Sequence, residues 1–142
     1  MIGDMGYRVT VERTEDGGFV ARNERGGEVV FGDAVEDAFN PVELLLVALG
    51  GCNIVTVEPL TAQRGHRLVR LGMVVESEKV KPNRLGQITV TYDVELPPDD
   101  PDAGRVFHDV AKRVHERHCT VSTALHDPTP VEIRIPLAGA GE

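Results

Sequence analysis

Hydrophobic and polar residues alternate at the start of this chain. Tyr7, Val9 and Val11 fall on one face of a segment running to Arg13, which predicts a strand. Glu15-Asp16-Gly17-Gly18 is a turn, Phe19 to Asn23 returns as a second strand, and Glu28 to Phe31 forms a third after Gly26-Gly27. The opening therefore reads as a meander of short antiparallel strands. Asp33 to Phe39 is polar loop or a single helical turn. The period then changes. Asn40-Pro41 signals a helix start, with Asn40 as N-cap, Pro41 at the first helical position and Glu43 two places later completing a capping box. Leu44 to Leu49 is apolar all round and predicts burial. Gly50-Gly51 is expected to interrupt this helix. A second helical run is expected from Cys52 to about Gln63, kinked by Pro59 and ended by Arg64-Gly65.

Two long strands are predicted next, Leu68 to Val80 and Leu85 to Leu96, joined at Lys81-Pro82-Asn83-Arg84. In the second, Ile88, Val90, Tyr92, Val94 and Leu96 alternate with polar residues. The acidic loop Pro97 to Asp102 leads into a helix from about Asp102 to His118. Val106, Val110, Ala111 and Val114 give it an apolar face, with Phe107 beside it. Cys119 to about His126 is a turn or short helix, Val131 to Ile135 a last alternating strand, and Leu137 to Glu142 a frayed tail. No repeat or linker divides the pattern, so residues 1–142 are read as one α+β domain.

Composition narrows the function. With 142 residues and 41% hydrophobic content the chain is long and apolar enough for a real core, built mainly from Val, Leu, Ile and Ala because aromatics are only 4% and Trp is absent. The net charge of -8 argues against nucleic acid as a partner and against attachment to anionic lipid. Leu44 to Leu49 is too short to span a bilayer. Met1-Ile2-Gly3-Asp4 lacks the basic and apolar regions of a signal peptide, so a cytoplasmic location is expected.

In that compartment the two cysteines stand out, because a permanent structural disulfide is unusual there. If Cys52 opens a helix after Gly50-Gly51, its thiol meets free amides and the positive end of the dipole, which favour the thiolate. Cys119, at the end of a helix, lacks that help and reads as a second, resolving thiol. Read alone, each serves equally well as a small buried residue. His115, His118 and Cys119, with His108 a turn back, suggest metal ligands. No second Cys pair or HExxH accompanies them, however, and surface or capping histidines account for them better. Arg13, Arg22 and Arg25 are candidate cations for a thiolate, and Glu43 a candidate carboxylate. No phosphate loop, dinucleotide fingerprint, nucleophile elbow or C-x-x-C pair is present.

The segment Asn40-Pro41-Val42-Glu43-Leu44-Leu45-Leu46-Val47-Ala48-Leu49-Gly50-Gly51-Cys52 resembles the P-x-E-L-L-L-x-A-L-G-x-C signature of the OsmC/Ohr family of osmotically inducible and organic-hydroperoxide-resistance proteins, in its OsmC-like branch. His118-Cys119-Thr120-Val121-Ser122 resembles that family's second signature, a Cys-Pro-Val-Ser-like turn. The resemblance implies an intertwined homodimer in which two antiparallel sheets enclose central helices. It implies a thiol peroxidase acting on organic and possibly hydrogen peroxides, recycled by an external dithiol, with no metal, flavin or nicotinamide. Cys52 maps to the peroxidatic thiol and Cys119 to the resolving thiol. An Arg from the opening strands (Arg22 first, then Arg25) and Glu43 map to the supporting pair, at a site on the dimer interface. The match is imperfect: Glu43 lies one residue later than the peroxidase carboxylate, a rotation of about 100° on a helix, and Thr120 replaces Pro. A non-catalytic thiol switch, a protein holding an apolar ligand and a degenerate member with inert thiols are the alternatives.

Overall fold

A computed structural model describes residues 6–136. Its elements are β1 (Val9–Arg13), β2 (Phe19–Asn23), β3 (Glu28–Phe31), α1 (Pro41–Gln63), β4 (Arg70–Glu76), β5 (Lys79–Lys81), β6 (Arg84–Leu85), β7 (Thr89–Glu95), α2 (Ala103–Arg113), a π-helical turn (Val114–His118) and α3 (Thr120–His126). The expected mixture of helix and strand is present. The described residues fall into two compact units, residues 6–48 with 75–89, and residues 49–74 with 90–136.

The first unit holds the meander. β1, β2 and β3 pair antiparallel in that order, with Val11 opposite Ala21 and Ala21 opposite Val29. Phe19 lies opposite Phe31, their rings stacked at 5.7 Å. The first hairpin closes through Thr14 N–H to the Gly18 carbonyl at 2.9 Å, and Gly17 supplies the positive φ of +89° that the turn needs. The apolar face so formed is not covered, since Val9, Val11 and Val29 are exposed. At the α1 start the capping box forms as the sequence predicts. Asn40 Oδ1 accepts from Glu43 N–H at 2.8 Å, and Glu43 Oε1 accepts from Asn40 N–H at 2.9 Å.

Beyond that cap, α1 departs from expectation. Gly50-Gly51 does not break it, and Pro59 is carried inside it. A helix-interior glycine costs only about 1 kcal/mol against alanine, which packing on both sides outweighs. Leu49, Asn53, Val57 and Thr61, spaced by four, form one buried stripe with Gly50 beside Leu49. The burial expected of Leu44 to Leu49 is met by Leu49 alone, because Leu44 and Leu46 are half-buried and Leu45, Val47 and Ala48 are exposed. By length and composition the unbroken helix is long and apolar enough to cross a membrane, which the Leu44 to Leu49 stretch alone is not.

The two long strands are shorter than predicted. β4 pairs with β7, and β5 pairs with β6 as a separate ribbon with an irregular register. Gly86 separates β6 from β7, and a Cβ there would come within 2.8 Å of Val80. Arg70 clamps Asp93 with a two-pronged contact at 2.8 and 3.0 Å. No strand forms at 131–136, where Val131, Ile133 and Ile135 keep the alternation but are exposed.

The core lies in the second unit. Val57 from α1 packs with Val106, Phe107 and Val110 of α2, and with Val114 and Cys119 beyond it. Leu60, Leu71, Tyr92 and Val94 close around this cluster. Tyr92 meets Phe107 edge-on at 5.3 Å. Gly65, with φ +84°, ends the α1 region, and His66 Nδ1 pairs with Asp100 Oδ2 at 2.5 Å, tying the segment after α1 to the loop before α2.

Candidate functional site

Cys52 and Cys119, 67 residues apart in sequence, meet in the core of the second unit. Both are free thiols, Cys52 packs against the cluster that holds Cys119, and each shifts the other's titration. The positions that bring them there differ from the sequence reading, and the difference changes their chemistry.

Cys52 does not open a helix. It stands in the interior of α1, where its own backbone amide is engaged in the helix and gives the sulfur nothing. Its donors come from another element, the Val121 and Thr120 amides at the start of α3. Burial pushes its pKa up, the neighbouring Cys119 pushes it further, and the two amides only partly offset them, so the thiol ends above its ordinary value. Cys52 nonetheless keeps some exposure.

Cys119 does not merely end a helix. The last turn after α2 widens, with Cys119 N–H donating to the Val114 carbonyl at 2.8 Å in the i to i−5 pattern of a π turn. The chain then turns extended at Cys119 (φ −83°, ψ 109°) and restarts as α3, so Cys119 is the N-cap of the next helix. Its sulfur accepts from Ser122 N–H at 3.4 Å. Burial pushes this thiol up as well, but the Ser122 hydroxyl, the Cys52 thiol and the amides of Ser122 and Val121 outweigh it and leave it below its ordinary value. Its exposure is zero.

Around the thiols the polar groups are well used. Asn53, next to Cys52 and buried, donates through Nδ2 to the Leu49 carbonyl at 2.9 Å and to Ser122 Oγ at 3.2 Å, joining α1 to α3. Sequence reasoning missed both Asn53 and Ser122. For Asn53 the signal available was a polar residue directly after Cys52 in an otherwise apolar segment; Ser122, among the polar neighbours of Cys119, left none. Tyr92 is the exception, because its hydroxyl is buried without a partner. Burial first, and the nearby Cys119 second, hold its pKa up at about 12.

The remaining predicted residues lie elsewhere. Arg22 sits opposite Glu28 on the meander and contacts it at 2.5 Å, with Glu12 at 3.8 Å. Glu43 is taken up by the capping box. Arg13 ends β1, and Arg25 lies exposed in the turn between β2 and β3. Among the described residues no group of three or more His, Cys, Asp or Glu side chains is arranged to hold a metal ion. His115 pairs with His126 rather than with His118.

The chain resembles several known proteins. An uncharacterized protein of Mycobacterium tuberculosis is 29% identical over 132 residues, covering 92% of this chain and 96% of that protein. Among solved structures, an OsmC like protein from Mycoplasma pneumoniae superposes with a TM-score of 0.69 at 18% identity, covering 89% of this chain and 91% of that one. A hypothetical protein from Aquifex aeolicus gives 0.69 at 20% identity, covering 87% and 89%. The family model described as OsmC-like protein matches residues 32–134, a span that takes in both cysteine motifs, and the chain belongs to the OsmC-like family.

Proposed function

We propose that this protein is a cysteine-based hydroperoxide reductase. The observation that carries the reading is the contact of two free thiols in one apolar core, one partly exposed and one not. Access assigns the roles. A peroxide reaches only the partly exposed Cys52, whose thiolate attacks the distal oxygen. The O–O bond breaks, the alcohol leaves with a proton, and Cys52 becomes a sulfenic acid. The Cys119 sulfur, having given up its proton, then attacks the Cys52 sulfur, the S–O bond breaks, and the departing hydroxide takes a proton from solvent and leaves as water. An external dithiol restores both thiols by exchange.

Because Cys52 sits above its ordinary pKa, it needs a cation to become an efficient nucleophile. Following the family resemblance we assign that role to Arg22, with Glu43 as its carboxylate, in a site completed across a homodimer in the cytoplasm. The uncovered apolar residues of the meander and of α1, including Val9, Val11, Val47 and Val55, support a second copy of the chain as their cover. Reduced protein should consume cumene hydroperoxide with a dithiol present, lose all turnover as Cys52→Ser, and react once without recycling as Cys119→Ser. Arg22→Ala should slow the first step only. Turnover that survives Cys52→Ser would sink the proposal.

One observation favours a second reading. With Cys52 held protonated and Glu43 committed to the helix cap, the pair also suits a slow thiol switch. Slow disulfide formation without sustained peroxide turnover distinguishes it.

A further inference from the structure

Hydrogen bonds around Cys119 continue past the thiol pair and reach solvent. Ser122 Oγ lies 3.4 Å from His115 Nδ1, and His115 Nε2 lies 3.1 Å from His126 Nε2. Ser122 and His126 are four residues apart on α3 and share a face. The π turn opposite sets His115 against both, one ring nitrogen to each, with the two imidazoles edge to face at 4.9 Å. Ser122 is fully buried, whereas His115 and His126 are exposed.

Donor counting gives the chain a direction. A serine hydroxyl has one proton and two lone pairs. One lone pair takes the Asn53 amide. The Ser122 side chain bears on the Cys119 sulfur, so while Cys119 is a thiol its S–H is free to turn to the other, with the Ser122 proton directed to His115 Nδ1. Once Cys119 is a thiolate, the Ser122 proton turns to the sulfur and His115 Nδ1–H donates to Ser122. Each proton moves one place and no hydrogen bond is lost.

We propose that Ser122, His115 and His126 form a proton route between the buried Cys119 thiol and solvent, with all three acting through Cys119 as positioning residues. The ionisable groups facing Cys119 are Cys52 from α1 and Tyr92 from β7, and the group facing His115 is His126 from α3. Neither histidine makes an ion pair among the described residues, so the route ends in water. The π turn and the sequence Val114-His115-Glu116-Arg117-His118-Cys119 thereby gain a purpose, since they set an exposed imidazole against the serine that follows a zero-exposure thiol.

The proposal deepens the peroxidase reading, whose second step needs Cys119 deprotonated, but it holds equally for a thiol switch. Its test therefore avoids peroxide. Diamide oxidises the full-length reduced protein: the Cys52 thiolate adds across the N=N bond, and the Cys119 sulfur then attacks Cys52 and breaks the S–N bond. Two electrons and the two thiol protons end on the hydrazine. At diamide concentrations where the rate no longer depends on diamide, closure by Cys119 is the step observed. His115→Gln keeps an acceptor for Ser122 but cannot carry a proton. It should shift the pH profile of closure upward by about one unit, about tenfold in rate near neutrality, and rejoin the parent protein at alkaline pH. His126→Gln should shift it less, in the same direction. Both side chains are exposed, so the fold should survive, as circular dichroism will verify. Profiles of both variants that superimpose on the parent overturn the route. An absence of peroxide turnover with the shifted profiles intact overturns the peroxidase reading alone.

Discussion

Cys52 stands in the interior of a 23-residue helix, whereas Cys119 stands at the corner where a π turn gives way to a seven-residue helix. The two sulfurs share one apolar core and one set of neighbours, yet their pKa values move in opposite directions. The difference lies in who supplies donors. Cys119 draws on its own segment through Ser122, while Cys52 must borrow the start of α3. A thiol beside a glycine pair in a helix-forming sequence is therefore not tuned by its own helix unless that helix begins there. The segment bearing the second cysteine tunes both.

The bridge between these regions is Asn53, and its loss should have the largest effect. Asn53→Asp places a carboxylate against the Leu49 carbonyl and Ser122, where an amide now donates. Leaving a charge unpaired at this depth costs about 3–5 kcal/mol. The sign with pH follows from burial: the introduced acid has its folded pKa raised, so the variant should be most stable below the ordinary carboxylate pKa and weaken as pH rises. Denaturant unfolding at two pH values will show it. A variant as stable as the parent at neutral pH would mean that α1 and α3 are not joined through this contact.

Next in size is a reciprocal effect. Cys119 raises the Cys52 pKa, and Cys52 lowers that of Cys119. Cys119→Ala should therefore bring the Cys52 titration down, and Cys52→Ala should take that of Cys119 up, each unit changing the thiolate fraction about tenfold. Thiolate absorbance against pH measures both. Movement in the same direction in the two variants would contradict the arrangement.

How much of this was legible in the sequence follows from the kind of signal each part left. The meander, the Asn40–Glu43 cap and the apolar face of α2 were legible because period and caps are local properties, set within a few residues. The two cysteines were legible as a pair by motif. Their helical settings were not. Gly50-Gly51 looked like a break because each glycine weakens a helix, but the stripe from Leu49 to Thr61 that overrides this cost is tertiary. The restart at Thr120 was anticipated as a turn or short helix, while the π widening that makes Cys119 its cap depends on how Val114 and Cys119 both enter the core. The Val131 to Ile135 alternation was read correctly as a pattern, but a strand needs a neighbour as well as a period.

Tyr92 tests the core side of the comparison. Its hydroxyl is buried and unpartnered, so removing it as Tyr92→Phe should leave stability unchanged or raise it by up to about 1–3 kcal/mol, the cost of an unsatisfied buried group. The pH sign is definite. A folded pKa held at about 12 contributes stability that is full below the ordinary tyrosine value of 10.0 and is lost as pH rises toward 12, and this alkaline loss should vanish in Tyr92→Phe. Melting temperatures across that window measure it. A variant that melts lower at neutral pH would assign the hydroxyl a partner.

The smallest effect probes the helix that carries Cys52. A Cβ at Gly51 would meet nothing within 4 Å, and the backbone there is helical. Gly51→Ala should then stabilise the chain by about 0.5–1 kcal/mol through the unfolded state and helix propensity alone. The same substitution bears on the dimer. If a second α1 packs against this position, the added methyl collides with it, and the gain turns into a loss that grows with protein concentration. Melting Gly51→Ala and the parent side by side over a dilution series separates the two. A concentration-independent gain leaves Gly51 facing solvent, one residue before Cys52, and widens the approach to that thiol. A concentration-dependent loss puts a partner helix against the same residue.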